Sequence, residues 1–199
     1  GIDVSWRKKV VSLLIPEEPK KVLDIATGTG DLAIELMKTN ANEIIGVDIS
    51  EGMLEIGIKK IKNRRINHNI KMEIGDSENL SYPDNYFDAA TVAFGVRNFE
   101  NLDKGLSEIL RVLRGGGNLV ILETAVPQKF PIRQFYNFYS SKIMPLFGLL
   151  FSNDKSAYRY LSDSAAVFPF GPAFNNILIK NGFIEVKNLP QTFGVASIY

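Results

Sequence analysis

The chain has 199 residues, which is long enough for one α/β domain with a full core and too short for two domains of ordinary size. Its 23 basic and 22 acidic residues nearly cancel, so its overall charge gives no attraction to nucleic acid or to an anionic membrane. The absence of cysteine and the presence of one histidine, His68, exclude a disulfide scaffold, a thiolate metal site and a multi-histidine metal cluster.

Apolar strand patterns alternate with helical patterns along the chain. Strands are predicted over the apolar runs 21–26, 43–49, 70–74, 87–94 and 118–124. Helices are predicted over 31–39, 53–64 and 102–113, the last with apolar residues on one face and Asn101 as its N-cap. Near the end, the pattern predicts a helix over 172–181 that stops at Gly182, followed by strands over 183–189 and 192–199.

Buried strands separated by helices predict a parallel sheet that is covered on both faces. The last two strands are joined by a short link that contains Pro190, so we expect them to form an antiparallel hairpin. The predicted fold is therefore α/β, a mostly parallel seven-stranded, Rossmann-like sheet with an antiparallel C-terminal edge hairpin and helices on both faces. That is the architecture of class I methyltransferases. We expect residues 1–199 to form a single domain, without a membrane-spanning segment.

A glycine loop joins the first strand to its helix, at the sheet edge where α/β proteins bind ligands. The loop contains Gly28 and Gly30, flanked by Ala26 and Asp31. Because a carboxylate at the start of the helix would repel a pyrophosphate, the ligand at this turn should carry no phosphate there. This disfavours a nicotinamide oxidoreductase, and the lack of a Gly-x-x-x-x-Gly-Lys run disfavours a phosphate-loop NTPase.

Polar side chains also follow the second and third predicted strands. Asp48 lies 20 residues after Gly28, where a carboxylate binds ribose hydroxyls, and Asp76 and Ser77 lie where the edge of a base would be. A ribose and an adenine without phosphate describe S-adenosylmethionine, whose positive charges suit an acidic lining that includes Asp24. Each feature alone also fits a turn glycine or a solvated strand end, and it is their combination in this order that favours the cofactor.

Several segments resemble those of one enzyme family. The loop 24–30 resembles the first motif of class I S-adenosylmethionine-dependent methyltransferases. The run 93–98 (Ala-Phe-Gly-Val-Arg-Asn) resembles the Phe-Gly-Leu-Arg-Asn element of the ubiquinone/menaquinone biosynthesis C-methyltransferases of the UbiE type. The run 157–164 resembles their Tyr-x-Tyr-Leu segment, and 111–123 resembles their Arg-Val-Leu-Lys-Pro-Gly-Gly…Glu signature. Residues 1–6 resemble the end of their N-terminal motif, whose upstream part we expect to be missing here.

The resemblance implies S-adenosylmethionine-dependent C-methylation of a reduced prenylated quinone, either demethylmenaquinol or the benzoquinol of the ubiquinone pathway. It implies a small lipophilic quinol as partner, no nucleic acid and no metal, and a cytoplasmic location that extends to the inner face of the membrane. A homodimer stays open. Twelve residues are implied at the cofactor: Asp24, Ala26, Thr27, Gly28, Thr29, Gly30, Asp48, Ile49, Met53, Asp76, Ser77 and Ala93. Catalytic roles are implied for Arg97, Asn98, Tyr158, Tyr160 and Asp163.

Arg97 follows the fourth predicted strand, at the edge of the sheet that carries the cofactor turn. His68 precedes the third strand, at the opposite edge, so we expect it to have only a surface role. A guanidinium does not act as a base at ordinary pH, but it can stabilise a phenolate or orient a water that takes the proton. Asn98 could hold that water or the hydroxyl of the acceptor. The alternative is a structural role for Arg97, as a helix cap or in an ion pair with Glu100 or Glu123.

The run 130–170 contains 11 of the 21 aromatic residues and is interpreted as an insertion that covers the substrate. Five of its side chains could form the wall of a pocket for an isoprenoid tail: Phe135, Phe138, Tyr139, Phe147 and Phe151. The alternative is that they belong to the protein core or to a dimer interface. Two other functions also stay open. One is a class I methyltransferase for another small phenol, sterol or amine, and the other is a protein that binds the adenosyl cofactor without turnover.

Overall fold

The computed structural model describes residues 1–66, 69–128, 130–134 and 168–199. Within these residues seven strands form one sheet in the order β3-β2-β1-β4-β5-β7-β6. The strands are β1 (Lys21–Ile25), β2 (Glu43–Asp48), β3 (Ile70–Ile74), β4 (Phe87–Ala93), β5 (Leu113–Thr124), β6 (Leu189–Gln191) and β7 (Ala196–Ile198). The helices are α1 (Ile2–Leu14), α2 (Asp31–Glu35), α3 (Glu51–Arg64), α4 (Leu102–Val112) and α5 (Pro172–Lys180).

The strand directions confirm the predicted fold class. Strands β1 to β5 are mutually parallel, whereas β7 runs antiparallel to both of its neighbours, β5 and β6. The chain leaves β1 toward β2 and β3 and then returns to place β4 on the other side of β1. The strand order therefore reverses between β1 and β4, and a crevice opens at the carboxyl ends of the strands at such a point.

Helices cover both faces of the sheet because successive strand residues point to opposite sides. On one face, Leu106 and Ile109 of α4 and Phe174 of α5 pack in one apolar cluster with alternate strand residues such as Leu23. The other face has its own cluster, to which α1, α2, α3 and the 3₁₀ segment after α2 contribute Trp6, Val10, Val11, Leu14, Leu32, Ala33, Leu36 and Ile61. Each fully buried large side chain stabilises the fold by about 1.5–3 kcal/mol, so these helices are fixed against the sheet.

The C-terminal region differs from its predicted form. The hairpin is antiparallel as predicted, but residues 183–188 form no strand, and Pro190 lies inside β6 instead of in the link. The alternating pattern is misleading because Glu185 adopts a left-handed backbone with φ of 53° and Ile184 is 85% exposed. The link is a 3₁₀ turn over Thr192–Gly194, so the predicted strand 192–199 shortens to β7.

Three other elements also depart from the prediction. Strand β5 begins at Leu113 and runs through the glycine triplet, where the pairing with β4 shifts register, whereas the prediction started it at 118. The predicted helix 31–39 divides into α2 and a 3₁₀ segment, Leu36–Thr39. Helix α1 was not predicted from the sequence. Among the described helices, none has the length and hydropathy needed to cross a bilayer.

Candidate active site

A cavity of about 460 Å³ opens where the strand order reverses, between the loops that follow β1, β2, β3 and β4. Its volume is within the usual range for small-molecule sites, roughly 300–1,000 Å³. Its lining consists of Arg7, Asp24, Ala26, Thr27, Gly28, Thr29, Asp31, Leu32, Asp48, Ile49, Ser50, Met53, Gly75, Ser77, Ala93, Phe94, Gly95, Asn98 and Phe99. Ten of the twelve predicted cofactor residues are in this set, and Gly30 and Asp76 are not.

Asp24 is the buried polar residue beneath the cavity. The hydroxyls of Thr27 and Thr91 each donate a hydrogen bond to its carboxylate at 2.6 Å, one to each oxygen. Its side chain is almost completely buried, and burial raises the pKa of Asp24 to about 6 despite these two donors. The negative charge of Asp48 raises that pKa further. Asp24 thus holds the ends of β1 and β4 together at the floor of the cavity.

Tight backbone turns allow two loops to meet above Asp24. Ala26 and Phe94 both adopt left-handed backbones, with φ of 53° and 56°, which residues other than glycine rarely do. Gly95 packs directly on Ala26, since a Cβ added to Gly95 would lie 2.4 Å from the Cβ of Ala26. Such strained conformations cluster at ligand sites, where the surrounding packing imposes them.

Asp48 organises the loop after β1 from the neighbouring strand. Its Oδ2 accepts the backbone N–H of Gly28 at 2.8 Å, and its Oδ1 accepts that of Ser50 at 2.9 Å. The backbone N–H of Thr27 also donates to Val47 O at 3.0 Å. The carboxylate therefore fixes two turns while it remains part of the cavity wall. Each oxygen has a further lone pair through which it could bind a ribose hydroxyl.

The charges around the cavity are mixed. The Nζ of Lys60 in α3 donates to Thr29 Oγ1 at 2.7 Å and pairs with Asp31 Oδ1 at 2.8 Å. Burial opposes ionisation of Asp31, but the hydrogen bond and charge of Lys60, with the charge of Arg7, hold its pKa below the usual value. The charged groups in the lining are thus three carboxylates and the guanidinium of Arg7. This lining suits a ligand that carries positive charge and one carboxylate better than it suits a pyrophosphate.

Gly30 and Asp76 do not line the cavity. Gly30 is the left-handed residue, with φ of 75°, from which α2 starts. The Oδ1 of Asp76 accepts the backbone N–H of Glu78 at 2.8 Å, so this side chain closes the turn after β3. Its neighbours Gly75 and Ser77 do line the cavity. Contacts of Asp76 with a base remain a prediction.

Arg97 is not among the residues that line the cavity, and it forms a buried ion pair. It belongs to the 3₁₀ turn Val96–Asn98, and its Nη1 donates to Oε1 of Glu123 at the end of β5. The side chains of Arg97 and Glu123 are only 6% and 1% exposed. The partner is one of the two carboxylates that the sequence suggested for a structural role. Asn98, the next residue, lines the cavity.

Other predicted site residues lie outside the described part of the chain: Tyr158, Tyr160, Asp163 and the aromatic residues over 135–151. His68, for which we expected only a surface role, also lies outside it. One lining residue that sequence reasoning missed is Arg7, which α1 brings to the cavity. Its Nη2 donates to Asp3 at 2.8 Å one helical turn away. If α1 had been predicted as a helix, Trp6 would have been assigned to its buried face and Arg7 to a neighbouring face, and Arg7 would have become a candidate for the lining.

Comparison with known structures shows the class of fold to which this chain belongs. A structure described as an S-adenosylmethionine-dependent methyltransferase, from Aquifex aeolicus, superposes with a TM-score of 0.62 at 17% sequence identity, covering 100% of this chain and 97% of that one. At that identity the likeness concerns the fold alone. The fold is that of class I S-adenosylmethionine-dependent methyltransferases.

Sequence relatives narrow this class to one family. The ubiE/COQ5 methyltransferase family matches residues 1–199. A protein named demethylmenaquinone methyltransferase, from Bacteroides fragilis, is 46% identical over 200 residues, which cover all of this chain and 82% of that protein. A protein of Geobacter sulfurreducens, named ubiquinone/menaquinone biosynthesis C-methyltransferase UbiE, is 41% identical over 201 residues and is covered to 78%. This chain belongs to the ubiE/COQ5 methyltransferase family, which confirms the resemblance seen in its motifs.

Proposed function

We propose that this protein transfers a methyl group from S-adenosylmethionine to a ring carbon of a reduced prenylated quinone, with demethylmenaquinol as the favoured acceptor. The observation that carries the proposal is the acidic cavity at the point where the strand order reverses, in a chain whose relatives are named for this reaction. The lining supports an adenosyl ligand with positive charge in place of a dinucleotide.

The cofactor would lie along the loops after β1 to β4. Asp48 would bind the ribose hydroxyls, and Ile49 and Met53 would offer apolar surface to the faces of the adenine, with Ser77 at its edge; all four line the cavity. Ile49 is 77% exposed, which gives it apolar area that a bound ring would cover. When bound, the cofactor supplies a methyl group on a sulfonium, so the protein needs to contribute alignment and charge placement.

The acceptor carbon becomes nucleophilic when a neighbouring hydroxyl of the quinol loses its proton. Arg97 follows β4 and precedes the cavity residue Asn98 in the chain, and its charge would stabilise the resulting phenolate. Because a guanidinium keeps its protons at ordinary pH, Arg97 cannot itself take the proton. Asn98 would orient the hydroxyl or a water. Tyr158, Tyr160 and Asp163 stay proposed lining or relay residues.

The chemistry of the acceptor also suggests where the enzyme acts. A prenylated quinol partitions into lipid, so we place the protein in the cytoplasm, in contact with the inner face of the membrane when it takes up its substrate. A homodimer is part of the same proposal, with the aromatic run 130–170 either at its interface or around the prenyl tail.

The direct test is transfer of a labelled methyl group from S-adenosylmethionine to reduced demethylated naphthoquinol and benzoquinol. We expect transfer to the naphthoquinol, at a carbon position that mass spectrometry of the product identifies. Transfer to a simple phenol, sterol or amine and to neither quinol would contradict the proposal. Tight cofactor binding without transfer to any acceptor would favour the alternative, a protein that binds the adenosyl cofactor but does not catalyse methyl transfer.

Variants at Arg97 test its role in the same assay. Arg97→Ala should lower kcat severely while the affinity for S-adenosylhomocysteine, measured by calorimetry, stays near that of the wild type. Because the alanine leaves the buried Glu123 unpaired, we would measure Arg97→Lys beside it, which keeps the charge but loses the planar fork of donors. Loss of cofactor binding with normal turnover of the bound fraction would show that Arg97 has no part in the chemistry.

A further inference from the structure

The ion pair between Arg97 and Glu123 is asymmetric. Glu123 Oε1 accepts three hydrogen bonds, from Arg97 Nη1, from the backbone N–H of Thr124 at 2.7 Å and from Thr124 Oγ1 at 3.1 Å. Oε2 of the same carboxylate is buried and has no hydrogen-bond partner among the residues that the structure describes. The same holds, within those residues, for Nε of Arg97. One ion pair thus presents an unused acceptor and an unused donor.

Buried polar atoms are almost always hydrogen-bonded, so two such atoms in one ion pair indicate a position where a further polar group binds. A group that fits both must accept one hydrogen bond and donate another, which is what a hydroxyl or a water does and what a carboxylate or an ammonium does not. The pair also lies beside the cavity. Ala93 in the cavity wall is the strand partner of Leu122, the residue before Glu123.

From this geometry we propose that Glu123 is the proton acceptor of the methylation, and that Arg97 Nε and Glu123 Oε2 bind the hydroxyl of the acceptor ring or a water bonded to it. This inference rests on the proposed function and supplies the base that Arg97 cannot provide. The proton of the hydroxyl passes to Oε2, and its bonding electrons move into the ring. The ring carbon then bonds to the methyl group as the carbon–sulfur bond breaks, and sulfur keeps that electron pair. Loss of the ring-carbon proton to solvent restores the aromatic ring as a phenolate, and Glu123 Oε2 then returns its proton to the oxygen, which gives the methylated quinol and the free carboxylate.

The surroundings of Glu123 support a role for this one carboxylate. In the part of the chain that the structure describes, the titratable groups beside it are Arg97, from the turn after β4, and Tyr199, just beyond β7. Burial raises the pKa of Tyr199, and the charge of Glu123 raises it further, so the phenol stays protonated near neutral pH. Ser197, its partner across the sheet, does not titrate. Among these neighbouring groups of the described chain, Glu123 is therefore the only carboxylate.

The test compares Glu123→Gln with Glu108→Gln in single-turnover methyl transfer to the reduced quinol. Glu108 is the matched control, because it also pairs with an arginine (Arg111) and accepts a backbone N–H (of Leu80), but near the surface. We expect Glu123→Gln to lower kcat by about 100-fold or more, the usual contribution of a general base, with KM and the affinity for S-adenosylhomocysteine changed less than about threefold. Glu108→Gln should keep the wild-type rate.

The pH profile separates a proton acceptor from a structural residue. In Glu123→Gln the rate should rise about tenfold per pH unit between pH 7 and pH 9, because ionisation of a phenol with a pKa of about 10 then replaces the missing base. The wild-type rate should change much less. A variant rate that parallels the wild type at every pH, or a variant that keeps more than a third of the wild-type rate, would overturn the proposal.

A second variant covers the case in which Glu123→Gln does not fold. Glu123→Asp keeps the charge that Arg97 needs but withdraws the carboxylate by one methylene, so we expect normal melting and a loss of about tenfold or more in kcat. Normal kcat in Glu123→Asp would refute the inference. If the wild-type protein methylates neither quinol, the proposed function and this inference fail together, whereas active wild type with an active Glu123 variant refutes the inference alone.

Discussion

Asp24 makes the stability of this protein depend on pH in a way that one substitution can isolate. Its carboxylate is buried below the cavity, and its raised pKa of about 6 means that the folded state resists ionisation of this group. Asp24→Asn removes the charge and keeps the shape. The hydroxyls of Thr27 and Thr91 can still bond to the amide, since a hydroxyl can accept as well as donate.

The direction in which stability changes with pH follows from the pKa of Asp24 in the unfolded and folded states. Asp24 ionises near pH 3.8 in the unfolded chain and near pH 6 in the folded protein, so its favourable contribution is complete below pH 3.8 and is lost as the pH rises through 6. The full change is about 3 kcal/mol, of which about 2 kcal/mol falls between pH 4.5 and pH 7.5. The Asn variant should therefore gain about 2 kcal/mol in unfolding free energy relative to the wild type over that interval.

Urea unfolding of both proteins at pH 4.5, 6 and 7.5 measures this difference. Asp84→Asn serves as the control for charge removal, because Asp84 is exposed and pairs with Arg111 far from the cavity floor. Its stability difference from the wild type should stay within about 0.5 kcal/mol at all three values. If the difference between the wild type and Asp24→Asn is the same at pH 4.5 and pH 7.5, the explanation by burial is wrong.

Further predictions concern the loops around the cavity and one helix end. Gly95→Ala should destabilise the fold by about 1–3 kcal/mol in urea unfolding, because the new Cβ would meet Ala26, whereas Gly52→Ala, with open space around it, should stabilise α3 by up to about 1 kcal/mol. Asp48→Asn should weaken S-adenosylhomocysteine binding in calorimetry about 10- to 100-fold, because it removes charge-assisted hydrogen bonds to the ribose and to two loop amides. Asn101→Ala should cost about 1 kcal/mol, because the Asn101 side chain accepts a backbone N–H as the N-cap of α4; an unchanged urea midpoint would contradict that capping role.

Local sequence patterns predicted the features that depend on neighbours in the chain. Strand β3 was predicted with its observed bounds, and Asn101 caps α4 as predicted, because apolar periodicity and capping both act over a few residues. Gly28 and Asp48 both line the cavity, because they follow strands whose carboxyl ends must meet at one edge of a parallel sheet. The strand predicted over 183–189 failed because alternation of apolar residues does not show a left-handed residue such as Glu185.

The sequence by itself determined the class of fold and the edge of the sheet at which the cavity opens, because these follow from short-range pattern and chain direction. Only the tertiary structure decided that Arg7 joins that wall and that Arg97 turns to Glu123, 26 positions along the chain. The sequence left Glu100 and Glu123 equal as partners for Arg97. The choice depends on which carboxylate the neighbouring strand brings into the buried space, and that is a matter of packing between β4 and β5.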